Sequence, residues 1–303
     1  MGALPFLFTL IRSFTAARPR PSAALVRSTL LELAILTVHV LLYPTGIAQE
    51  RRPPPLPPPA PRPSPATPVE RPERPEPAEA PGAPTGPVGP VAERPPVLLL
   101  HGFIDNRSVF VLLRRSLRRH GWDEVWSLNY SLLTCDIRKA AEMLGRHVEE
   151  VCLSTGRERV DMVGHSLGGL IARYYIQRLG GDTRVRTLVT LGTPHSGTLV
   201  APLMTAHPLV RQMRPDSDVI TELAGPAPHC ATQFIGFWSD LDQIMVPVET
   251  ARIDHPDLHA RNVRVCGVGH LALPVHGEVA TGIRQALTTE EPATGAAGAA
   301  SVA

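Results

Sequence analysis

The chain has 303 residues and a formal net charge of +2, with Lys139 as its only lysine among many arginines. The arginines are interspersed with acids and no basic stripe alternates with aromatics, which argues against a nucleic-acid partner. From Pro53 to Pro96, 19 of 44 positions are proline, which is too little apolar material to form a core and leaves roughly 200 residues for one domain of ordinary size.

In chain order, Met1 to Arg27 carries Arg12, Arg18, Arg20 and Arg27 with no acid, and the apolar run Leu30–Tyr43 follows. This is the layout of an export signal. The run is about 14 residues, short of the ~20 that span a bilayer, and Glu32 and His39 interrupt it. Gly46-Ile47-Ala48 then offers small residues for a signal peptidase, with cleavage expected after Ala48. Residues 1–48 are thus a signal peptide or a membrane anchor, and the protein is expected outside the cytoplasm, secreted or tethered to the membrane's outer face. Residues 49–95 read as a Pro-rich, extended stalk, 96–290 as the folded domain and 291–303 as a tail.

From Pro96 onward short apolar runs alternate with amphipathic stretches of helix length. The runs at 96–100, 124–128, 159–163, 185–191, 232–238 and 263–268 predict six strands of a mostly parallel sheet buried on both faces. Apolar spacing of three and four predicts helices over Arg107–His120, Asp136–Val151, Leu167–Leu179 and Glu278–Leu287, with Gly121, Gly156 and Gly180 where three of them stop. The predicted fold is a doubly wound α/β sandwich with its site at the carboxyl ends of the strands.

Gly164-His165-Ser166-Leu167-Gly168-Gly169 follows a predicted strand and opens a predicted helix. In that context G-x-S-x-G puts a serine hydroxyl on a sharp turn, where a side chain at either outer glycine would strike neighbouring backbone. Ser166 is therefore the candidate nucleophile. The Leu167 N–H is a candidate oxyanion donor, and the Phe103 N–H, in the His101-Gly102-Phe103 loop after the first strand, is the second. Serine needs a base, and an imidazole needs a carboxylate to fix its tautomer. His270, just past the last strand, fits the order serine, acid, histidine; His195 precedes every candidate acid and reads as a loop-stabilising residue. Asp240 and Asp242 both lie at the end of the fifth strand. Asp240 could cap the turn, while Asp242 has more freedom to reach back.

The motifs at 101–103, 164–169, 191–198 (LGTPHSGT), 238–247 (WSDLDQIMVP) and 267–274 (GVGHLALP) resemble those of small exported bacterial lipases and esterases with the α/β-hydrolase fold. The resemblance runs from about Pro96 to Leu287. It implies hydrolysis of carboxylic esters of the lipid type, with Ser166, Asp242 and His270 as the triad, Phe103 and Leu167 at the oxyanion hole, and no cofactor or metal. The alternatives are an acyltransferase or thioesterase of the cell envelope with the same triad, and a silent, stalked binding protein on the same scaffold.

Fewer than 40 residues separate the fourth strand from the fifth, too few for a crossover helix and a separate lid domain. Leu199 to Met213 is expected to form one wall of an open groove. A helix over Asp136–Val151 would hold Cys135 and Cys152 about 25 Å apart at 1.5 Å per residue, which disfavours a bridge between them; the four cysteines read as buried free thiols, with Cys230 to Cys266 as a possible pair. His255 and His259 read as solvated polar surface, not a metal site.

Overall fold

The computed structural model describes residues 22–46, 94–103, 105–129, 136–199 and 207–289. Nearly all of the Pro-rich stretch, the expected cleavage point, Cys135 and the 291–303 tail lie outside these residues.

Six strands, β1 (Val97–Leu100), β2 (Val125–Leu128), β3 (Val160–His165), β4 (Val185–Leu191), β5 (Gln233–Ser239) and β6 (His259–Val265), form one sheet in the order β2-β1-β3-β4-β5-β6. Every pairing is parallel. The apolar runs make central strands because helices cover both faces. On one face α3 (Ile137–Thr155), α4 (Leu167–Arg178) and α6 (Asp218–Ala224) enclose a cluster including Leu98, Leu144, Met162 and Ile171. On the other, α2 (Val111–Arg119) and α7 (Gly277–Thr288) enclose Leu99, Leu113, Val163 and Ile283. Each such side chain taken fully out of water contributes about 1.5–3 kcal/mol. Asp161 tolerates complete burial in β3 because the Arg186 guanidinium of β4 forks its two oxygens at 2.9 and 2.6 Å.

Prediction and structure differ in several places. β6 starts at His259, four residues before the apolar run, because it is the edge strand and His259, Ala260 and Arg261 are exposed. α3 runs on to Thr155, where Gly156 ends it with φ 68°. Cys230 and Cys266 are both free, as the free-thiol reading has it, but Cys266 is exposed and not buried.

Between β4 and β5 the described residues carry only two short helices, α5 (Pro208–Gln212) and α6. Leu209, Val210 and Met213 do not line an open groove; they turn into the core under α3 and α4. The carboxyl edge of the sheet is covered instead by α1 (Ala23–Gly46), which belongs to the same compact unit as the sheet. Ser22 caps its start, its hydroxyl accepting from Leu25 N–H at 3.2 Å. The helix is long and apolar enough to cross a membrane, yet its buried residues are Ser28, Thr29, Glu32, His39 and Gly46. These fall at helical spacing on one stripe, together with the half-buried Ile35 and Leu36. Leu30, Val38, Val40 and Leu41 face outward.

Candidate active site

Ser166 sits between β3 and α4 with φ 53° and ψ −121°, a left-handed conformation that costs a non-glycine residue of order 1–3 kcal/mol. Its neighbours enforce the turn. Ser166 N–H donates to Leu191 O at 2.9 Å, and its carbonyl accepts from Gly169 N–H and from the Thr193 hydroxyl. A Cβ at position 164 would stand 2.5 Å from the Gly169 backbone, and one at 168 would collide with the carbonyl oxygen of Leu100. Both outer glycines are thus required by backbone contact.

His270 lies in the turn after β6, and its Nδ1 is 2.8 Å from Asp242 Oδ2. The other oxygen, Asp242 Oδ1, accepts from the backbone N–H groups of Ile244 and Met245 at 3.0 and 3.1 Å, so the carboxylate is held from both sides. Burial alone would push the His270 imidazole down, but the Asp242 carboxylate outweighs it, with Glu32 and Asp105 adding in the same direction, and holds the ring above its ordinary 6.5. Asp240 faces away: it pairs with Arg264 at 2.9 Å and accepts from Gly267 N–H at 3.2 Å.

The nucleophile turn and the histidine turn meet. The His165 and His270 ring centroids are 4.7 Å apart, and His165 Nε2 lies 3.2 Å from His270 O. The β1 loop closes the third side. A Cβ on Gly102 would stand 2.9 Å from Asp105 Oδ2, 3.2 Å from His165 Nδ1 and 3.4 Å from Ser166 Cβ, so this backbone passes close beside the serine. Phe103 follows, its ring edge-on to His207 at 4.8 Å, while Leu167 opens α4 fully buried. Ser166, Asp242 and His270 are only 7%, 2% and 5% exposed.

His195, the competing histidine, is locked elsewhere. Its Nε2 is 3.0 Å from the Thr190 hydroxyl, and the buried Arg173 guanidinium reaches its Nδ1 and donates to its carbonyl. Burial, reinforced by Arg173, holds the ring far below its ordinary value and therefore neutral. His255, expected on the solvated surface, is buried, with Nε2 against Gly225 O at 3.0 Å and Nδ1 accepting from Asp257 N–H.

Three polar residues at this edge had no part in the expectations drawn from the motifs. Asp105 Oδ2 lies 3.4 Å from His165 Nδ1, and His39 of α1 stands 3.9 Å from the other Asp105 oxygen. Glu32 of α1 accepts from the backbone N–H groups of Leu271 and Ala272, both at 2.9 Å. Their signal in the sequence was spacing, since Glu32 and His39 are seven residues apart on one helical face.

A family model described as alpha/beta hydrolase fold matches residues 95–216, which contain Ser166 but neither Asp242 nor His270. A triacylglycerol lipase of Pseudarthrobacter phenanthrenivorans is 32% identical over 115 residues, 35% of each chain. Another, of Burkholderia plantarii, is 32% identical over 115 residues, 35% of this chain and 31% of that one. The chain thus spans about a third of the length of these curated relatives. The crystal structure of Bacillus licheniformis lipase BlEst2 in its propeptide form is similar with a TM-score of 0.54 at 19% identity, over 69% of this chain and 54% of that one. The domain from β1 to α7 has the α/β-hydrolase fold, and the chain resembles the lipases and esterases built on it.

Proposed function

We propose that the protein hydrolyses carboxylic esters through an acyl-enzyme on Ser166. The observation that carries this reading is the convergence of a strained serine turn with a buried, hydrogen-bonded Asp242–His270 pair. In the reaction His270 takes the proton of the Ser166 hydroxyl as the oxygen attacks the ester carbonyl, and Asp242 holds the imidazole in the tautomer that presents Nε2 to the serine. The oxyanion is held by the N–H groups of Leu167 and Phe103, each worth about 2.7–4 kcal/mol in the barrier. His270 returns the proton to the leaving alcohol. Water, activated by the same histidine, then releases the acid and regenerates the serine. Every charge that develops is matched by a residue of this chain, and no step calls for a metal or cofactor.

The substrate class is short to medium acyl esters, including those of lipids, in keeping with the triacylglycerol lipases among the chain's relatives. The enzyme acts outside the cytoplasmic membrane, with the outward side chains of α1, Leu30, Val38, Val40 and Leu41, against lipid. A fluorophosphonate probe tests the chemistry. It should label the parent chain and leave Ser166→Ala unlabelled; equal labelling of both would overturn the assignment. Fractionation tests the location, and recovery of the intact chain from cytosol would contradict it.

A further inference from the structure

A carboxylate in the middle of an apolar helix is costly in a bilayer, yet Glu32 is well served where it lies. It is 5% exposed, and its two oxygens each take one backbone N–H, from Leu271 and Ala272, the two residues after His270. Those N–H groups stand in a turn that no strand or helix satisfies, so the carboxylate is their partner in place of water. The fit extends to position 269, where a Cβ would come within 2.5 Å of the Glu32 carboxyl, so glycine leaves the space that the carboxylate fills. Around it, Gln243 Nε2 donates to the Thr29 hydroxyl at 3.2 Å, and Ile35 and Leu36 pack on Leu271 with Ile244. Farther along α1, Asn106 Nδ2 donates to Tyr43 O and Asn129 Nδ2 to Gly46 O. The helix thus runs from the loops after β5 and β6, past the site, to the loops after β1 and β2.

We propose that Glu32 is a positioning residue for His270, and that α1 is a lasting part of the working enzyme and not a removable export segment. The inference rests on the reading of His270 as the base. By clamping the N–H groups of residues 271 and 272, Glu32 sets the backbone that carries the imidazole, while Asp242 sets its ring. The two duties differ. Losing the ring partner leaves the wrong tautomer, whereas losing the backbone clamp leaves the right tautomer in a turn free to drift, and a displacement of about 1 Å can cost 10²-fold in rate. Docking and spanning exclude each other, because a helix inserted across a bilayer takes Glu32 away from Leu271.

The test uses the full-length chain with its own N-terminus, exported by a bacterial host and assayed on p-nitrophenyl butyrate. Glu32→Ala should lower kcat by about 10²-fold with KM nearly unchanged. Glu32→Gln keeps the volume and one acceptor but sets an NH2 against the second N–H, and should fall between Glu32→Ala and the parent. In Glu32→Gln the acid limb of kcat/KM should also move to lower pH. His270 is faced by Asp242, Glu32, Asp105 and His165, and removing one of the three negative charges makes the imidazolium easier to deprotonate. Thr37→Ala, on the outward side of the same helix, should match the parent. Mass analysis should find Glu32 in the active, exported protein.

Parental kcat and pH profile in both Glu32 variants would overturn the proposal, and so would an active mature chain that begins near Gln49. A kcat loss in Glu32→Gln that merely tracks a lower melting temperature, with the acid limb unmoved, would reduce Glu32 to a structural contact and overturn it as well. A parent chain that neither hydrolyses the ester nor takes the fluorophosphonate probe would sink the esterase reading and this inference with it. An active parent with indifferent Glu32 variants sinks this inference alone.

Discussion

The turn at Ser166 and the helix that covers it are built on opposite principles. At the turn the special residues are neighbours in sequence: glycines at 164 and 168 stand where side chains would strike backbone, and the strained serine between them is held by three hydrogen bonds, with Leu191 O, Gly169 N–H and the Thr193 hydroxyl. At the cover they are far apart, and the bonds that seat α1 join residues separated by more than 200 positions at one end and by 63 to 83 at the other. The first region is a backbone geometry that few sequences can adopt. The second is a stripe of polar side chains matched to loops, which many sequences could supply in part. Changes at the turn and its triad should therefore be severe and indivisible, while changes at the cover should be graded.

The largest effect expected is for Ser166→Ala, which removes the proposed nucleophile and should lower kcat by about 10⁶-fold with an unchanged circular dichroism spectrum. Next comes Asp242→Asn. It should lower kcat by about 10⁴-fold through the wrong imidazole tautomer, again without unfolding. Gly164→Ala should act on stability, since its methyl meets the Gly169 backbone at 2.5 Å, and overpacking of this kind costs about 1–3 kcal/mol. A melting curve would show the loss, and an unaltered midpoint would mean that the turn has slack it is not expected to have.

Smaller again is the pH effect. As the proposed base, His270 would work as neutral imidazole, and its acidic surroundings raise its pKa, so the acid limb of kcat/KM should have its midpoint above 6.5. The same shift acts on stability in the opposite sense. A raised folded pKa favours the folded state fully below the unfolded value, and that contribution is lost as pH rises through the folded value. An activity midpoint below 6.5 would mean that burial, not the carboxylates, dominates at His270. Smallest of all is Asp240→Asn, which removes an exposed pair with Arg264 and should leave kcat within about twofold, as exposed ion pairs contribute roughly 0–1 kcal/mol. Reversal of the two aspartate effects would transfer the orienting role to Asp240.

Most of the sheet was legible in the sequence because strands covered on both faces are mainly apolar, and β1 is so throughout. The edge strand β6 was misplaced by four residues for the same reason, since its exposed first half carries no apolar signal. The strand-to-helix turn at Ser166 and the placement of His270, not His195, beyond the last strand were legible because motif, chain order and strand ends agree. The cover was not. The apolar run in α1 dominated its reading, and Glu32 and His39 looked like defects in it. Their shared face becomes visible only when polar residues are counted at helical spacing beside the apolar ones, and what that face meets depends on loops distant in the chain. His255 was misjudged likewise, because its partner, the Gly225 carbonyl, is 30 residues away.

The central claim is that an acyl group is transferred to Ser166. Digestion and mass spectrometry of the chain quenched during turnover of p-nitrophenyl butyrate test it most directly. The account predicts a butyryl adduct on the peptide that carries Gly164 to Gly169, localised to Ser166, which accumulates in the parent and is missing in Ser166→Ala. Turnover by the parent with the acyl group on another residue, or undiminished turnover by Ser166→Ala, would contradict it.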